Sequence, residues 1–313
     1  MTTFLKKSIR RVTLGALFLV PALTLLQACT NLTEVPKDAL TPDNAFKTDQ
    51  EVLAGVASVY AGMRATLWGY YNLSEISTDE LIVPTRGNDW YDNGRWLEIH
   101  KQTWSANSGS ALDDMNGTWN ALFSGIAKAN LMIDVITNGG GANKDQTLAE
   151  LRALRAWYYY MLMDFFGGVP LVTSTELKAN PRVARDSIFR FVDAELNAVR
   201  TALPVSWPAS GKGRMTRGAA DAILASLYLN AQVFSGTVTA AGLTKGPAKW
   251  TEAIAAADRV INSGQYALAT DWKKNFSTDN HDSPEHIFFV AEASAPAGLG
   301  MSLPMRGLHY NML

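Results

Sequence analysis

Three tryptophans stand close together in a stretch of turn-forming and polar residues. The segment RGNDWYDNGRWLEIHKQTW begins at Arg86 and contains Trp90, Trp96 and Trp104. Glycine, asparagine and aspartate lie between them, and these residues favour turns over the interiors of helices and strands. Indole faces can stack on the apolar face of a ligand, while carboxylate, amide and guanidinium groups can hydrogen-bond hydroxyls. The alternative is that a loop of this length folds a small core under itself and buries one or two of the tryptophans.

Other motifs that could carry chemistry are weak. HDSPEH, which begins at His281, has three residues between its first histidine and its glutamate, where an inverted zinc-protease motif has two. Asp113 and Asp114 lie outside any EF-hand loop, and we expect them to cap the helix that follows. GKGRMTRG lacks the spacing and the Lys-Ser/Thr pair of a phosphate-binding loop, and no G-x-S-x-G occurs. We therefore predict no catalytic residue, no metal site and no cofactor.

The amino terminus has the charge pattern of a secretory signal. An uncharged apolar stretch, Val12–Leu26, is too short to span a bilayer comfortably. It follows the basic residues Lys6, Lys7, Arg10 and Arg11. The sequence LQAC then ends at the single cysteine, Cys29, and resembles a bacterial lipoprotein box, in which the cysteine becomes the acylated first residue. The alternative is a small buried cysteine that happens to follow the signal. We predict a signal peptide over residues 1–28 and a lipid-anchored chain over residues 29–313.

Composition fits an ordinary globular chain. Of 313 residues, 47% are hydrophobic and 18% are charged, and the formal net charge is −1. This length is ample for a large core. This near-neutral net charge gives no sign of the positively charged surface that nucleic-acid binding needs.

Helical periodicity dominates the chain outside residues 69–114, where no period is sustained. Asp43 or Asn44 can cap a first helix, and Thr216 can cap a later one. We expect a strand over EHIFFVAEAS, which begins at Glu285 and is apolar from Ile287 to Val290. The predicted helices cover residues 51–67, 119–136, 147–166, 186–203, 216–234 and 249–264.

The helix at 147–166 is apolar on most sides, which predicts a buried helix. We interpret its aromatic run from Trp157 to Tyr160 as core. Arg152 and Arg155 in the same helix are expected to pair with acids of the scaffold.

Six segments in order resemble the SusD/RagB family of outer-membrane lipoproteins. They are the lipoprotein box, STDELIVPTRGNDWYDNGRW, WNALFSGIAKAN, RALRAWYYYMLMDFFGGVPLV, GRMTRGAADAILASLYLNA, and WTEAIAAADRVINSGQYAL followed by SPEHIFFV. The resemblance implies a mostly α fold of tetratricopeptide-like helical hairpins, with long loops and little β structure. Family members are longer, so we expect this chain to be truncated at its carboxyl terminus, where part of the binding surface usually lies.

The resemblance also implies a function. SusD-like proteins sit on the outer leaflet of the outer membrane, cap a SusC-like TonB-dependent transporter and bind glycans or other nutrients, and they are not enzymes. Family glycan binders draw an acid, an arginine, a tryptophan and an asparagine from the segment that contains the three tryptophans. The corresponding residues in order are Asp79, Arg86, Trp104 and Asn107, with Trp90 and Trp96 as further candidates.

Two other functions remain open at this point. A helical-repeat scaffold could lack a small-molecule ligand altogether. A glycoside hydrolase needs two carboxyl groups at a defined separation, which a sequence with many acids does not specify.

Overall fold

A computed structural model of the chain describes residues 45–139 and 143–291. The chain divides into two units, residues 1–45 and 46–313, and every element below belongs to the second. Cys29, the predicted signal peptide and the predicted caps Asp43 and Asn44 lie outside the described residues.

The described part of the chain is mostly helical, as predicted. A two-stranded antiparallel hairpin, β1 (Thr237–Thr239) with β2 (Gly242–Thr244), pairs Val238 with Leu243. The helices are α1 (Asp49–Glu75), α2 (Arg95–Lys101), α3 (Ser110–Gly139), α4 (Lys144–Phe166), α5 (Arg185–Val199), α6 (Arg217–Leu229), α7 (Ala231–Phe234) and α8 (Trp250–Ile261). Among the described helices, none is long and apolar enough to cross a membrane.

The main core forms where the long helices pack in sequence. Helix α3 packs against α1 and α4, α4 packs against α5, and α6 packs against α8. Tyr158 and Tyr159 of α4 are fully buried, and Trp157 and Tyr160 pack against the same core. The Tyr158 hydroxyl donates to the Val59 carbonyl oxygen at 2.6 Å, which satisfies its polar group inside the core. The aromatic run is therefore core, as predicted.

Gly125 lets α3 approach α4 closely. A Cβ atom at this position would lie 2.2 Å from the Tyr158 ring, closer than real atoms approach. The small residue therefore makes room for the buried tyrosine, and the contact fixes the register of the two helices.

The predicted ion pairs of α4 are present. Arg152 Nη2 and Arg155 Nη2 lie 2.6 Å and 2.8 Å from the two carboxylate oxygens of Glu195 on α5. Burial raises the pKa of Glu195, but hydrogen bonds from both arginines outweigh that effect and leave the pKa below its usual value. Glu195 thus joins α4 to α5 in its ionised form.

The helix caps differ in part from expectation. Thr48 caps α1, because its hydroxyl accepts from the Glu51 N–H while the Glu51 carboxylate accepts from the Thr48 N–H. This reciprocal capping box explains why the helix starts at Asp49. The predicted cap at Thr216 is confirmed, since its side chain accepts from Ala219 N–H at 3.1 Å.

The strand predicted over residues 285–294 is wrong for its described part, which includes Ile287 to Val290. These residues form irregular structure, and Ile287, Phe288 and Val290 pack against the helical core. A strand needs a neighbour to satisfy its backbone groups. In the described residues, β1 and β2 pair with each other and not with this apolar run. The run instead packs its side chains against the helices and is partly buried there.

Candidate functional site

The three tryptophans lie in one connection, residues 76–109, which links α1 to α3 and is called the tryptophan loop below. Arg86 and Asp89 exchange two backbone hydrogen bonds of 3.1 Å and close a tight turn around Gly87. A 3-10 turn at Asp92–Gly94 leads directly into α2. Gly87 and Gly94 have positive φ angles of 64° and 83°, a conformation that glycine adopts without strain. The segment predicted to lack a period, residues 69–114, thus contains turns and one short helix, together with the end of α1 and the start of α3.

A small core lies under the tryptophan loop. Ile76, Trp96, Ile99 and Ala111 are buried together, and Leu81 and Val83 pack against them. Trp96 is only 5% exposed, and its Nε1–H donates to the Asp92 carboxylate at 2.5 Å. The structure therefore places Trp96 inside the loop's own core, as the alternative interpretation anticipated for one or two of the tryptophans.

A buried ion pair fastens the loop to α3. Arg95 donates from Nε and Nη2 to the two carboxylate oxygens of Asp114, each at 2.6 Å, and Asn72 Nδ2 of α1 donates to the same group at 2.8 Å. Hydrogen bonding to Asp114 raises the pKa of Arg95. The Asp114 side chain is only 1% exposed. The expected cap role of Asp114 is therefore wrong, because α3 begins at Ser110 and the carboxylate lies one turn inside it.

Arg95 also covers one side of the buried tryptophan. Its guanidinium carbon lies 4.9 Å from the centroid of the Trp96 ring, within cation–π distance. The sequence did not indicate that Arg95, Asp114 and Asn72 form one hydrogen-bonded unit. The available signal was an arginine next to a tryptophan in a turn-rich segment, but its partners lie on two other elements.

Two of the three tryptophans expose an aromatic surface. Trp90 and Trp104 are each 40% exposed, and Tyr91 is 46% exposed. The Trp90 ring centroid lies 6.3 Å from that of Trp96, so Trp90 rests on the buried ring and keeps its outer surface available. Its φ of 53° is unusual for a bulky residue. Such a backbone persists only where its surroundings hold it, and it often marks a functional site.

The four residues matched through the resemblance all lie at the surface. Asp79, Arg86 and Asn107 are exposed along with Trp104. Asn107 N–H donates to the Ser105 hydroxyl at 3.2 Å, and Ser105 N–H donates to the Ser108 hydroxyl at 2.8 Å. These local bonds shape the turn that follows Trp104. In the described part of the chain, no hydrogen bond or ring contact joins Trp104 to Trp90.

The tryptophan loop can therefore present aromatic rings from a fixed base. Trp90 rests on a core tryptophan, and the loop is closed by backbone bonds and by the Arg95–Asp114 pair. Rigid aromatic side chains lose little conformational entropy when they bind. Within the described residues, no cluster of histidine, cysteine or acidic side chains could hold a metal ion.

A second aromatic surface was not anticipated from the sequence. Trp272 and Phe276 are 65% and 75% exposed, and their rings meet edge to face at 5.6 Å. They lie in the short 3-10 helix Trp272–Phe276. The two aromatic residues are four positions apart in the sequence, with lysines between them. A pattern this short does not show whether the two rings are exposed or buried.

Comparison with known proteins gives a family match over residues 39–229, to the SusD-like model described as "Starch-binding associating with outer membrane". A SusD-like protein of Bacteroides ovatus is 26% identical over 88% of this chain and 50% of its own length. The starch-binding protein SusD of Bacteroides thetaiotaomicron is 25% identical over 68% of this chain and 35% of its own length. The chain thus spans about half the length, or less, of these curated relatives.

Solved structures share the fold. A laminarin-binding SusD-like protein superposes with a TM-score of 0.64 at 21% identity, covering 80% of this chain and 52% of its own. Surface glycan-binding protein A of Bacteroides thetaiotaomicron, in complex with laminarihexaose, superposes with a TM-score of 0.61 at 21% identity, covering 79% of this chain and 50% of its own.

Proposed function

The chain belongs to the SusD-like family, and from that premise we propose that it captures oligosaccharide at the cell surface through its tryptophan loop. One observation carries the proposal: Trp90 and Trp104 each expose about two fifths of their surface on a loop that has its own core. Sugar rings offer C–H faces that indole can cover and hydroxyls that polar side chains can bond.

The polar residues of the loop complete the chemistry. Asp79 and Asn107 can accept or donate hydrogen bonds to hydroxyls, and Arg86 can donate several. All three are exposed on the same loop as the tryptophans. We assign Trp104 and Trp90 to stacking and Asp79, Arg86 and Asn107 to hydroxyl recognition, while Trp96 supports the loop from below.

The proposal extends to the setting of the protein. The family's description associates it with the outer membrane. We propose that Cys29 carries the lipid anchor and that a SusC-like TonB-dependent transporter receives the captured ligand. We also propose binding without catalysis, because the relatives described above that are named for a ligand are named as binding proteins.

Calorimetric titration of the full chain in a non-ionic detergent tests the proposal. Laminarihexaose and a maltooligosaccharide are the first probes, because one structural relative is named for binding laminarin, another is in complex with laminarihexaose, and a curated relative is named for binding starch. We expect Trp104→Ala to weaken binding by roughly thirtyfold, because losing a stacked aromatic costs about 2 kcal/mol or more.

The matched control is Trp272→Ala, which removes a more exposed tryptophan outside the loop. We expect this variant to bind like the parent chain. Equal binding by the parent chain and both variants would contradict the stacking role of Trp104. A loss of binding in Trp104→Ala together with a sharply lower melting temperature would assign Trp104 a structural role instead.

A further inference from the structure

A cavity of about 380 Å³ lies where the end of α5, the start of α6 and the end of α8 meet. Its lining includes three arginines, one from each helix region: Arg200, Arg217 and Arg259. It is separate from the tryptophan loop, since no residue of that loop lines it.

The charges in this cavity do not balance. Asp221 is the single acid among the described lining residues, which include three arginines. Arg259 Nε donates to Asp221 Oδ1 at 2.6 Å, and Arg200 Nη1 lies 3.7 Å from the same oxygen. Arginine stays protonated at any physiological pH. The lining therefore carries more positive than negative charge, with Asp221 already engaged by Arg259.

Arg217 supplies an independent observation. Its Nη2 donates to the Thr201 carbonyl oxygen at 2.9 Å. Its Nε is buried and has no hydrogen-bond partner among the described residues. Buried polar atoms without a partner are rare in folded proteins, and each calls for an explanation. A small shift of the Arg217 side chain that brings Nε to the cavity surface would let a bound acceptor satisfy this N–H group.

The surrounding groups suit a small oxygen-rich anion. Asn262, Gln265 and Tyr266 add neutral hydrogen-bonding groups to the lining. Gly218, in the first turn of α6, also lines the cavity, and the amino-terminal end of a helix favours negative charge. A Cβ atom at Gly218 would lie 2.5 Å from the Tyr266 ring. Glycine at this position therefore lets Tyr266 pack closely against the start of α6, where both residues line the cavity.

We propose that this cavity binds an oxyanion, namely a carboxylate, sulfate or phosphate group, with Arg217 and Arg200 as its main donors. The planar guanidinium fork matches the paired oxygens of such groups. The inference goes beyond capture by the tryptophan loop, and it stands whether or not that loop binds sugar.

Titration of the full chain in a non-ionic detergent, followed by calorimetry, tests the proposal. The probes are sodium sulfate and sodium glucuronate, with glucose as the neutral comparison and sodium chloride holding ionic strength constant. We expect at least one anion to bind and glucose not to bind at this site. Binding of glucuronate alone would indicate a sugar-borne carboxylate, and binding of sulfate alone a tetrahedral anion, and both results support the site.

Variants locate the binding. Arg217→Gln and Arg200→Gln should each weaken anion binding by about tenfold or more, the effect of losing a charged hydrogen bond. Arg190→Gln is the control, because Arg190 is exposed on α5 and pairs with Asp186 outside the cavity. If Arg217→Gln does not fold, Arg200→Gln decides. The proposal is overturned if neither anion binds, if Arg200→Gln weakens the binding of glucose as much as that of the anions, if the folded cavity variants bind like the parent, or if Arg190→Gln loses as much affinity.

Discussion

At the scale of single residues, the tryptophan loop separates two roles for one side-chain type. Trp96 fills a core with Ile76 and Ile99, while Trp90 and Trp104 keep ring surface exposed. A buried indole contributes stability through its apolar area, whereas an exposed indole on a rigid base contributes mainly to binding. The loop needs both, because a long connection must bury something to hold its shape.

Replacing Trp96 should therefore cost stability. We expect Trp96→Ala to lower the free energy of unfolding by about 3–5 kcal/mol, the usual cost of emptying a tryptophan site in a core. Trp90→Ala is the matched control and should change it by less than about 1 kcal/mol. Urea denaturation of the three proteins measures both values. A similar, small change in both variants would contradict the assignment of Trp96 to the loop core.

At the scale of elements, helices α3 and α4 depend on a glycine contact. Gly125→Ala should lower the free energy of unfolding by about 1–3 kcal/mol, because the added methyl group collides with the Tyr158 ring. Gly117→Ala in the same helix is the control, since a Cβ atom there meets no other atom within 4 Å. That change should stabilise the protein by about 0.5–1 kcal/mol through higher helix propensity. Thermal melts check the prediction, and a shift of equal sign in both variants would contradict it.

The α4–α5 ion pairs predict a dependence on pH. The pKa of Glu195 lies below its usual value of 4.5 in the folded chain. Its contribution is therefore fully present above that value and is lost as the pH falls through the lower folded pKa. We expect the stability difference between the parent chain and Glu195→Gln to shrink between about pH 5 and pH 3.

A surface pair provides the control for that measurement. Glu176 pairs with Lys178 at an exposed site, where ion pairs contribute little. Glu176→Gln should differ little from the parent chain at any pH in the series. If the stability difference between Glu195→Gln and the parent stays constant from pH 5 down to pH 3, the ion pairs of Glu195 do not hold α4 to α5.

At the scale of the whole molecule, we propose that attachment to the membrane depends on Cys29. We expect Cys29→Ala to lose incorporation of a labelled fatty acid and to leave the membrane fraction, because the cysteine is the only residue of its kind in the chain. Thr30→Ala, one residue further on, should keep both the label and the location. Metabolic labelling followed by fractionation measures this, and equal label on the two variants would contradict lipidation at Cys29.

The sequence by itself determined the class of the molecule. Apolar residues at helical spacing predicted the long helices, because a helix that packs on one face must repeat its apolar residues with the helical period. Six ordered segments indicated the family, and the match over residues 39–229 confirms it. The buried aromatic run of α4 and the pairing of Arg152 and Arg155 with an acid were likewise predicted.

Only the tertiary structure decided which tryptophans are buried and which residues hold the tryptophan loop. In a segment without a hydrophobic period, whether a side chain is buried depends on which other elements pack against it. Trp96 is covered because the end of α1 and the start of α3 pack against it. Arg95 is held by Asp114 on α3, and the Asp114 carboxylate also accepts from Asn72 on α1. The apolar run Ile287 to Val290 failed as a strand for the same reason. Its residues bury on helices distant in sequence, and local pattern carries no information about such partners.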